Sequence, residues 1–212
     1  MSFIIGIAGP PGGGKTTLTN AMSRLFEDMS VIYFDHFQTV VHQSEEEMVA
    51  WIDSGADYNA FELPELVAGL ASLKQGQSTI EPVTGNTIEA TPIVFFETLF
   101  GRAHHATGQF IDCLIWLDTP LDIALARTIY ASNALFQTKI ATSPLTKEVS
   151  IDLQEYFRWQ NNYIKSYLNF VSKTLRIQQQ VKSSADIIIQ GIDDAEVIQA
   201  TAFRFIKDLI IE

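Results

Sequence analysis

A glycine-rich stretch near the amino terminus has the residue types and the spacing of a phosphate-binding loop. It runs Gly9-Pro10-Pro11-Gly12-Gly13-Gly14-Lys15-Thr16-Thr17 and matches G-x-x-x-x-G-K-[ST] at every fixed position. Glycines let successive backbone N–H groups point at an anion, and the helix that follows adds partial positive charge. A lysine here reaches the β- and γ-phosphates, and the next hydroxyl can ligate Mg²⁺. The loop therefore predicts a nucleoside triphosphate site formed by Gly12, Gly13, Gly14, Lys15, Thr16 and Thr17; a plain glycine turn would need neither so many glycines nor the Lys-Thr pair.

A second candidate site residue, Asp35, follows the next apolar segment, residues 31–34. If that segment is a strand, Asp35 faces the γ-phosphate across the cleft. A carboxylate there can accept a proton from an attacking hydroxyl or hold Mg²⁺ through water; an aspartate that only ends a strand is the alternative. His36 is a candidate contact for an acceptor molecule, and a packed or exposed loop residue is its alternative.

Apolar, β-branched segments alternate with helical patterns along the chain. Five strands are predicted at residues 2–8, 31–34, 92–96, 113–117 and 185–190. Helices are predicted at residues 15–28, 44–52, 64–75, from 119 onward, 147–181 and 193–210, the second of them starting at a capping box of Ser44 and Glu47. This alternation predicts an α/β fold with a parallel five-stranded sheet covered by helices on both faces. Ligands in such sheets bind outside the carboxyl ends of the strands.

The composition favours one globular domain and excludes several classes of protein. The chain has 212 residues, of which 47% are hydrophobic and 18% charged, so a core can form; no linker divides it, and residues 1–212 are predicted to be one domain. A net charge of −11 argues against nucleic-acid partners, which need a basic surface. The single Cys113 excludes a disulfide framework. No apolar run approaches the roughly 20 residues of a membrane span, so we expect a cytoplasmic protein without a membrane partner.

Two common classes of nucleotide-hydrolysing protein carry motifs that this sequence lacks. A guanine-specific GTPase is expected to have Asn-Lys-x-Asp after a later strand, and Leu117-Asp118-Thr119-Pro120 stands there instead. Motor-type ATPases usually end their second acidic strand in Asp-Glu, whereas here the strand ends in a single acidic residue, Glu97. Both classes are therefore disfavoured.

Six segments, taken in chain order, follow the pattern of one family. They are Gly13-Gly14-Lys15-Thr16-Thr17, Tyr33-Phe34-Asp35-His36-Phe37, Trp51-Ile52-Asp53-Ser54-Gly55-Ala56-Asp57-Tyr58, Val94-Phe95-Phe96-Glu97, Ile115-Trp116-Leu117-Asp118-Thr119-Pro120 with Leu125-Ala126-Arg127, and Ser184-Ala185-Asp186-Ile187-Ile188. Over nearly the whole chain these segments resemble the uridine kinase/phosphoribulokinase family of small-molecule kinases.

The resemblance implies a P-loop NTPase fold of the nucleoside monophosphate kinase type and transfer of the γ-phosphoryl group of ATP, with Mg²⁺, to a hydroxyl of a small metabolite. It implies that Asp35 is the base. Asp35, Thr16 and Glu97 would be the groups around the magnesium ion. Asp53 would contact the acceptor hydroxyls, and Glu97 would support the water shell of the metal. Arg127 would neutralise the transferring phosphate at the root of a lid within about residues 128–150, and residues 36–90 would hold the acceptor.

The lid is where the sequence departs from the family. The family pattern is Arg-Arg-x-x-Arg-Asp, and Arg127-Thr128-Ile129-Tyr130-Ala131-Ser132 keeps only the first arginine. Because phosphoryl transfer depends on stabilising charge, a nucleotide-binding protein of the same fold with weak or no kinase activity, such as a regulatory ATPase, is the alternative function. The acceptor and the oligomeric state, a homo-oligomer included, stay open.

Two other patterns are interpreted as structural. His104 and His105 are adjacent and cannot share one helix face, which favours a solvated helix end over a zinc site. Apolar and aromatic residues recur at helical spacing farther along and predict a face buried in the core; they are Tyr156, Phe157, Tyr163, Ile164, Tyr167 and Leu168.

Overall fold

Seven strands and eight helices are found in the computed structural model, which describes residues 1–37, 45–142 and 147–211. The strands are β1 (Phe3–Ala8), β2 (Met29–Tyr33), β3 (Thr79–Ile80), β4 (Thr87–Ile88), β5 (Ile93–Thr98), β6 (Cys113–Asp118) and β7 (Ile187–Gln190). The helices are α1 (Lys15–Leu25), α2 (Glu45–Asp53), α3 (Pro64–Lys74), α4 (His105–Gly108), α5 (Leu121–Thr142), α6 (Lys147–Asn169), α7 (Leu175–Ser183) and α8 (Ala195–Ile211).

Five of the strands form one parallel sheet in the order β2-β5-β1-β6-β7, which confirms the predicted α/β fold. In the register of the sheet, Glu97 on β5 lies beside Ile7 on one side and Tyr33 on the other. The carboxyl ends of parallel strands share one edge, so the loops after β1, β2, β5 and β6 meet there. The predicted site residues lie in these loops, at the end of β5 and in the helices that follow the loops.

The core has two halves, one on each face of the sheet. Successive strand residues point to opposite faces, so Ile4 and Phe96 belong to one apolar cluster while Ile5 and Phe95 belong to the other. All four side chains are buried. The unbroken apolar strands therefore supply both halves, and helices cover each face.

The sequence predictions differ from the structure in several elements. The helix predicted over 147–181 is interrupted after Asn169 by a 3₁₀ turn, Val171–Thr174. The Thr174 hydroxyl donates to the Val171 carbonyl at 2.6 Å, and a side chain that bonds the backbone in this way competes with the helix. The β3–β4 hairpin and α4 were not predicted. Ser44, the cap predicted for α2, lies outside the described residues.

Two structural interpretations were wrong. His104 is buried, with Nε2 3.1 Å from the Phe61 carbonyl and Nδ1 2.8 Å from the Thr107 hydroxyl, so it is not a solvated helix end. The predicted buried face of α6 is partly exposed, since Phe157, Ile164 and Leu168 all reach solvent. None of the described helices is long and apolar enough to cross a membrane.

Candidate active site

The phosphate loop, residues 9–17, follows β1 and leads directly into α1. Gly14 precedes the helix with φ at +100°, and Gly12 has φ at +75°. A Cβ atom on Gly12 would lie 2.4 Å from Thr128 Oγ1 and 2.5 Å from the Ala124 carbonyl oxygen on α5, so this position accepts only glycine. The first N–H groups of a helix have no partner within it, so the N-terminus of α1 is suited to binding an anion.

Lys15, the first residue of α1, is buried against the loop that precedes it. Its Nζ donates to the carbonyl oxygens of Gly9 and Pro10, each at 3.2 Å. Burial lowers the pKa of the Lys15 ammonium, while the charges of Glu97 and Asp35 act in the opposite direction. The lysine thus lies on the loop, between phosphate-binding backbone and two acidic side chains.

Of the two carboxylate oxygens of Glu97, one is hydrogen-bonded and the other is unpaired among the described residues. Its Oε1 accepts a hydrogen bond from the Thr16 hydroxyl at 3.0 Å, and its buried Oε2 has no hydrogen-bond partner among the described residues. Burial raises the pKa of Glu97, opposed by the Lys15 charge and the Thr16 hydrogen bond. Buried polar atoms are nearly always paired in native proteins, so an unpaired carboxylate oxygen beside a hydroxyl fits a hard cation such as Mg²⁺.

No group of three or more His, Cys, Asp or Glu side chains is close enough to hold a metal by itself within residues 1–37, 45–142 and 147–211. Mg²⁺ usually takes one or two carboxylates and completes its shell with substrate phosphates and water. Thr16, Asp35 and Glu97, which line one cavity, offer two carboxylates and a hydroxyl, a set that fits this kind of magnesium shell.

Five of the predicted site residues line one cavity of about 340 Å³, which we call the acidic cavity. They are Lys15, Thr16, Asp35, His36 and Glu97. Asp35 and His36 belong to a 3₁₀ turn, Phe34–His36, that directly follows β2. Each of the five comes from a strand end or a helix start at the same sheet edge, as the strand order requires.

His36 is held by a partner that sequence reasoning missed. Its Nδ1 lies 2.6 Å from Oε1 of Glu81, a residue only 6% exposed at the tip of the β3–β4 hairpin. The Thr84 hydroxyl donates to the other oxygen of the same carboxylate. An ionised carboxylate only accepts, so Nδ1 is the donor and Nε2 is the ring nitrogen left for a ligand. A pair 45 residues apart leaves no local sequence signal.

Arg127 and Asp53 lie outside the acidic cavity. Arg127 borders a separate cavity of about 350 Å³ on the α5 side of the phosphate loop, and its Nη1 donates to the Gly191 carbonyl at 2.8 Å. Asp53 is exposed at the end of α2 and lines a different cavity with Lys173. The structure brings Arg127 to the phosphate loop but places Asp53 and Asp35 in different cavities, so the roles implied for Arg127 and Asp53 stay predictions.

Another cavity, of about 420 Å³, adjoins the acidic cavity and is rich in aromatic side chains. Phe34 and Leu99 line both cavities, so the two are neighbours. Six aromatic side chains line this aromatic cavity: Phe34, Trp51, Tyr58, Phe61, Phe100 and Phe170. Sequence reasoning did not assemble it, because its walls come from five separate segments of the chain.

Comparisons with known proteins match this chain to one protein family and to several uridine kinases. The model of the Phosphoribulokinase / Uridine kinase family matches residues 4–131. A uridine kinase of Staphylococcus epidermidis is 28% identical over 202 residues, which are 89% of this chain and 87% of that protein. A uridine kinase of Borrelia duttonii is 31% identical over 140 residues, 61% of this chain and 66% of that protein. The uridine-cytidine kinase-like 1 protein of Mus musculus is 23% identical over 202 residues, only 33% of its own length.

The family model covers more than half of the 212 residues. It includes the phosphate loop, the Asp35 turn, the strand that carries Glu97 and the start of α5. The chain therefore belongs to the phosphoribulokinase/uridine kinase family.

Proposed function

We propose that the protein is an ATP-dependent kinase that transfers the γ-phosphoryl group to a hydroxyl of a small molecule. The observation that carries the proposal is the convergence of Lys15, Thr16, Asp35 and Glu97 in one cavity beside the phosphate loop. The family relationship and the uridine kinases among the relatives support a kinase in general terms; ATP, Mg²⁺ and the acceptor are part of the proposal.

The phosphate loop would bind the nucleotide through its N–H groups and Lys15. Lys15 Nζ now donates to two loop carbonyls, and its long stem lets it turn to phosphate oxygens instead. Thr16, Glu97 and Asp35 would hold Mg²⁺, which neutralises charge on the phosphate oxygens when bound. Arg127, on the other side of the loop, would add a second positive charge to the nucleotide.

Asp35 would act as the base toward the acceptor. Its carboxylate takes the proton of the acceptor hydroxyl, the hydroxyl oxygen forms the new bond to the γ-phosphorus, and the bond between that phosphorus and the β–γ bridging oxygen breaks to release ADP. His36, fixed by Glu81, lies next to Asp35 and would orient the hydroxyl through Nε2. Catalysis of this kind rests on position and charge more than on covalent chemistry.

Nucleotide binding with little or no transfer is the second candidate function, and α5 provides the observation that favours it. Beyond Arg127, the α5 residues that line the cavity beside the phosphate loop are Thr128, Ala131 and Ser132, none of them charged. Among the described residues lining this cavity and the acidic cavity, Lys15 and Arg127 are the permanent cations. Loss of one such cation can slow transfer by orders of magnitude.

ADP release with a panel of hydroxyl acceptors distinguishes the two functions. A kinase shows acceptor-dependent ADP release that Lys15→Ala abolishes. Asp35→Asn is expected to lower kcat by about 100-fold or more and to weaken ATP binding far less, since the carboxylate would be the base toward the acceptor but only one of three groups around Mg²⁺. Asp28→Asn, an exposed acid at the far end of β2, is the matched control. The kinase proposal fails if no acceptor raises ADP release above the Lys15→Ala level.

A further inference from the structure

One face of α6 presents apolar side chains to solvent. Leu153 is 39% exposed, Phe157 56%, Ile164 38% and Leu168 63%, and none of the four belongs to either core cluster. We propose that this face binds the same face of a second copy of the chain, as an antiparallel pair of helices related by a twofold axis. The face, which we call the α6 stripe, consists of Leu153, Phe157, Gln160, Asn161, Ile164 and Leu168.

The α6 stripe is separate from the face of α6 that packs on α5. Phe136 of α5 contacts Tyr156 and Trp159, with ring centres 4.8 and 6.3 Å apart, and the Tyr167 hydroxyl donates to the Leu121 carbonyl at 3.0 Å. At about 100° of rotation per residue, the centre of the stripe lies roughly a quarter turn around the helix from these three aromatic residues. The helix therefore has two apolar faces, and the described part of α5 packs on the other one.

The spacing along the α6 stripe is the same read from either end, which is the observation that identifies a second copy. Its midpoint falls between Gln160 and Asn161, with Phe157 and Ile164 equally far on either side and a leucine equally far at each end. All six residues lie within about 100° of the helix circumference. A twofold interface must be complementary to itself. In an antiparallel pair each leucine packs beside the other leucine of the second copy, Phe157 packs beside its Ile164, and the central amides face their own counterparts.

Charge and area are consistent with a weak dimer. None of the six residues is charged, so two chains of net charge −11 meet at this face with less repulsion than at a charged one. The stripe is about 22 Å long, and its four apolar side chains expose on the order of 400 Å² per copy, a patch size that often marks an interaction site. A standard interface buries about 800 Å² per partner. We therefore expect association that depends on concentration.

Sedimentation velocity of the full chain tests whether the α6 stripe associates. Between about 5 and 500 μM the average mass of the parent protein should rise from one chain toward two. Phe157→Glu places a charge in the stripe and should raise the dissociation constant at least about tenfold. Asn162→Glu, at an exposed position on the polar face of the same helix, is the matched control and should leave the dissociation constant unchanged.

Cysteine cross-linking tests the geometry of the pair. With helix axes 8–10 Å apart, the two copies of Asn161 have Cα atoms about 6 Å apart, within the range of a disulfide, so Asn161→Cys should form a covalent dimer on mild oxidation. The neighbouring Asn162→Cys, with Cα atoms about 13 Å apart, should not. Leu153→Cys and Leu168→Cys should cross-link when mixed but not separately. The parent protein, whose Cys113 is buried, is the blank.

Several results would overturn the proposal. They are a mass of one chain at about 500 μM, an unchanged dissociation constant in Phe157→Glu, cross-linking of Asn162→Cys as fast as that of Asn161→Cys, and cross-linking of Leu153→Cys with itself, which indicates a parallel pair. A parent protein that stays a monomer but binds phosphatidylcholine vesicles, with Phe157→Glu unable to bind them, would make the stripe a lipid-binding face instead. None of these measurements depends on phosphoryl transfer, so their outcome is independent of the proposed function.

Discussion

Replacing Glu81 with alanine is expected to destabilise the protein and to release His36 from its place beside Asp35. The Glu81 carboxylate is only 6% exposed, and it accepts from both the His36 ring and the Thr84 hydroxyl. In Glu81→Ala both donors lose their acceptor. In Glu81→Gln the amide keeps one acceptor oxygen for His36, and its NH₂ can donate to Thr84, whose hydroxyl can rotate to accept.

The size of the effect follows from these two contacts. A hydrogen bond to a charged group contributes about 1.5–3 kcal/mol. The His36 side chain is 37% exposed, and contact with solvent reduces the contribution of the His36–Glu81 contact to the unfolding free energy. We therefore expect Glu81→Ala to cost about 3 kcal/mol of unfolding free energy and Glu81→Gln about 1 kcal/mol. In a domain of this size 1 kcal/mol corresponds to about 2–4 °C, so the alanine variant should melt about 6–12 °C lower.

Thermal unfolding followed by circular dichroism measures the stability, and a change in acceptor kinetics reports whether His36 has been released. Glu62→Ala, a change at an exposed glutamate, is the control. In a His36→Ala background the cost of Glu81→Ala should fall, because the pair no longer exists to be broken. The reasoning is refuted if Glu81→Ala melts within about 2 °C of the parent protein or if its cost is the same with and without His36.

Three further predictions test other groups. Arg102→Met should lower the unfolding free energy by about 3 kcal/mol in urea titrations, because the guanidinium donates to the Ser184 and Asp112 carbonyls and to the Asp186 carboxylate, each at 2.8 Å; a loss below about 1 kcal/mol would contradict it. Glu97→Gln should raise the melting temperature at pH 7.5 while weakening magnesium-dependent nucleotide binding. Burial raises the pKa of Glu97 in the folded state, so the unfolding free energy of the parent protein falls as pH rises through that pKa. Below about pH 4.5 the carboxyl is protonated in both states, and the stability advantage of Glu97→Gln should vanish. An advantage that persists there would contradict the prediction. Burial raises the pKa of the Cys113 thiol to about 12, so iodoacetamide at pH 8 should label it only after unfolding, as followed by mass spectrometry; labelling of the native protein at the rate of the unfolded chain would disprove this.

The phosphate loop and the sheet could be predicted because their signals are local. The glycines, Lys15 and Thr16 are consecutive, and a backbone turn with N–H groups pointing inward needs no distant partner. The parallel sheet was predicted from unbroken apolar strands, and once its topology is known the meeting of Asp35 with the loop follows. Glu97 is similar, since the end of β5 must lie beside the end of β1.

The residues that sequence reasoning missed are those whose environment depends on distant partners. Glu81 and His36 are 45 residues apart. The buried His104 has its Nε2 within hydrogen-bond distance of the Phe61 carbonyl, which lies 43 residues away in the sequence. No residue at helix or strand spacing from either histidine indicates its distant partner. The α6 error has a related cause, because apolar spacing predicts a helix face but not what covers it. Phe136 on α5 packs against Tyr156 at 4.8 Å, while Phe157 next to it stays exposed.

The charge of the chain and the geometry of the site together limit how the proposed kinase reaction could work. A net charge of −11 repels a nucleotide at long range, so binding must come from contacts shorter than the screening length of about 8–10 Å. In the proposed function the phosphate loop would supply those contacts through its N–H groups and Lys15, with Arg127 of α5 beside it, and the unpaired Glu97 oxygen would suit a cation delivered with the phosphates. Charged side chains line the acidic cavity and are absent from the described walls of the aromatic cavity, so in the proposed function the phosphates would lie on the charged side of the cleft, with Asp35 beside them.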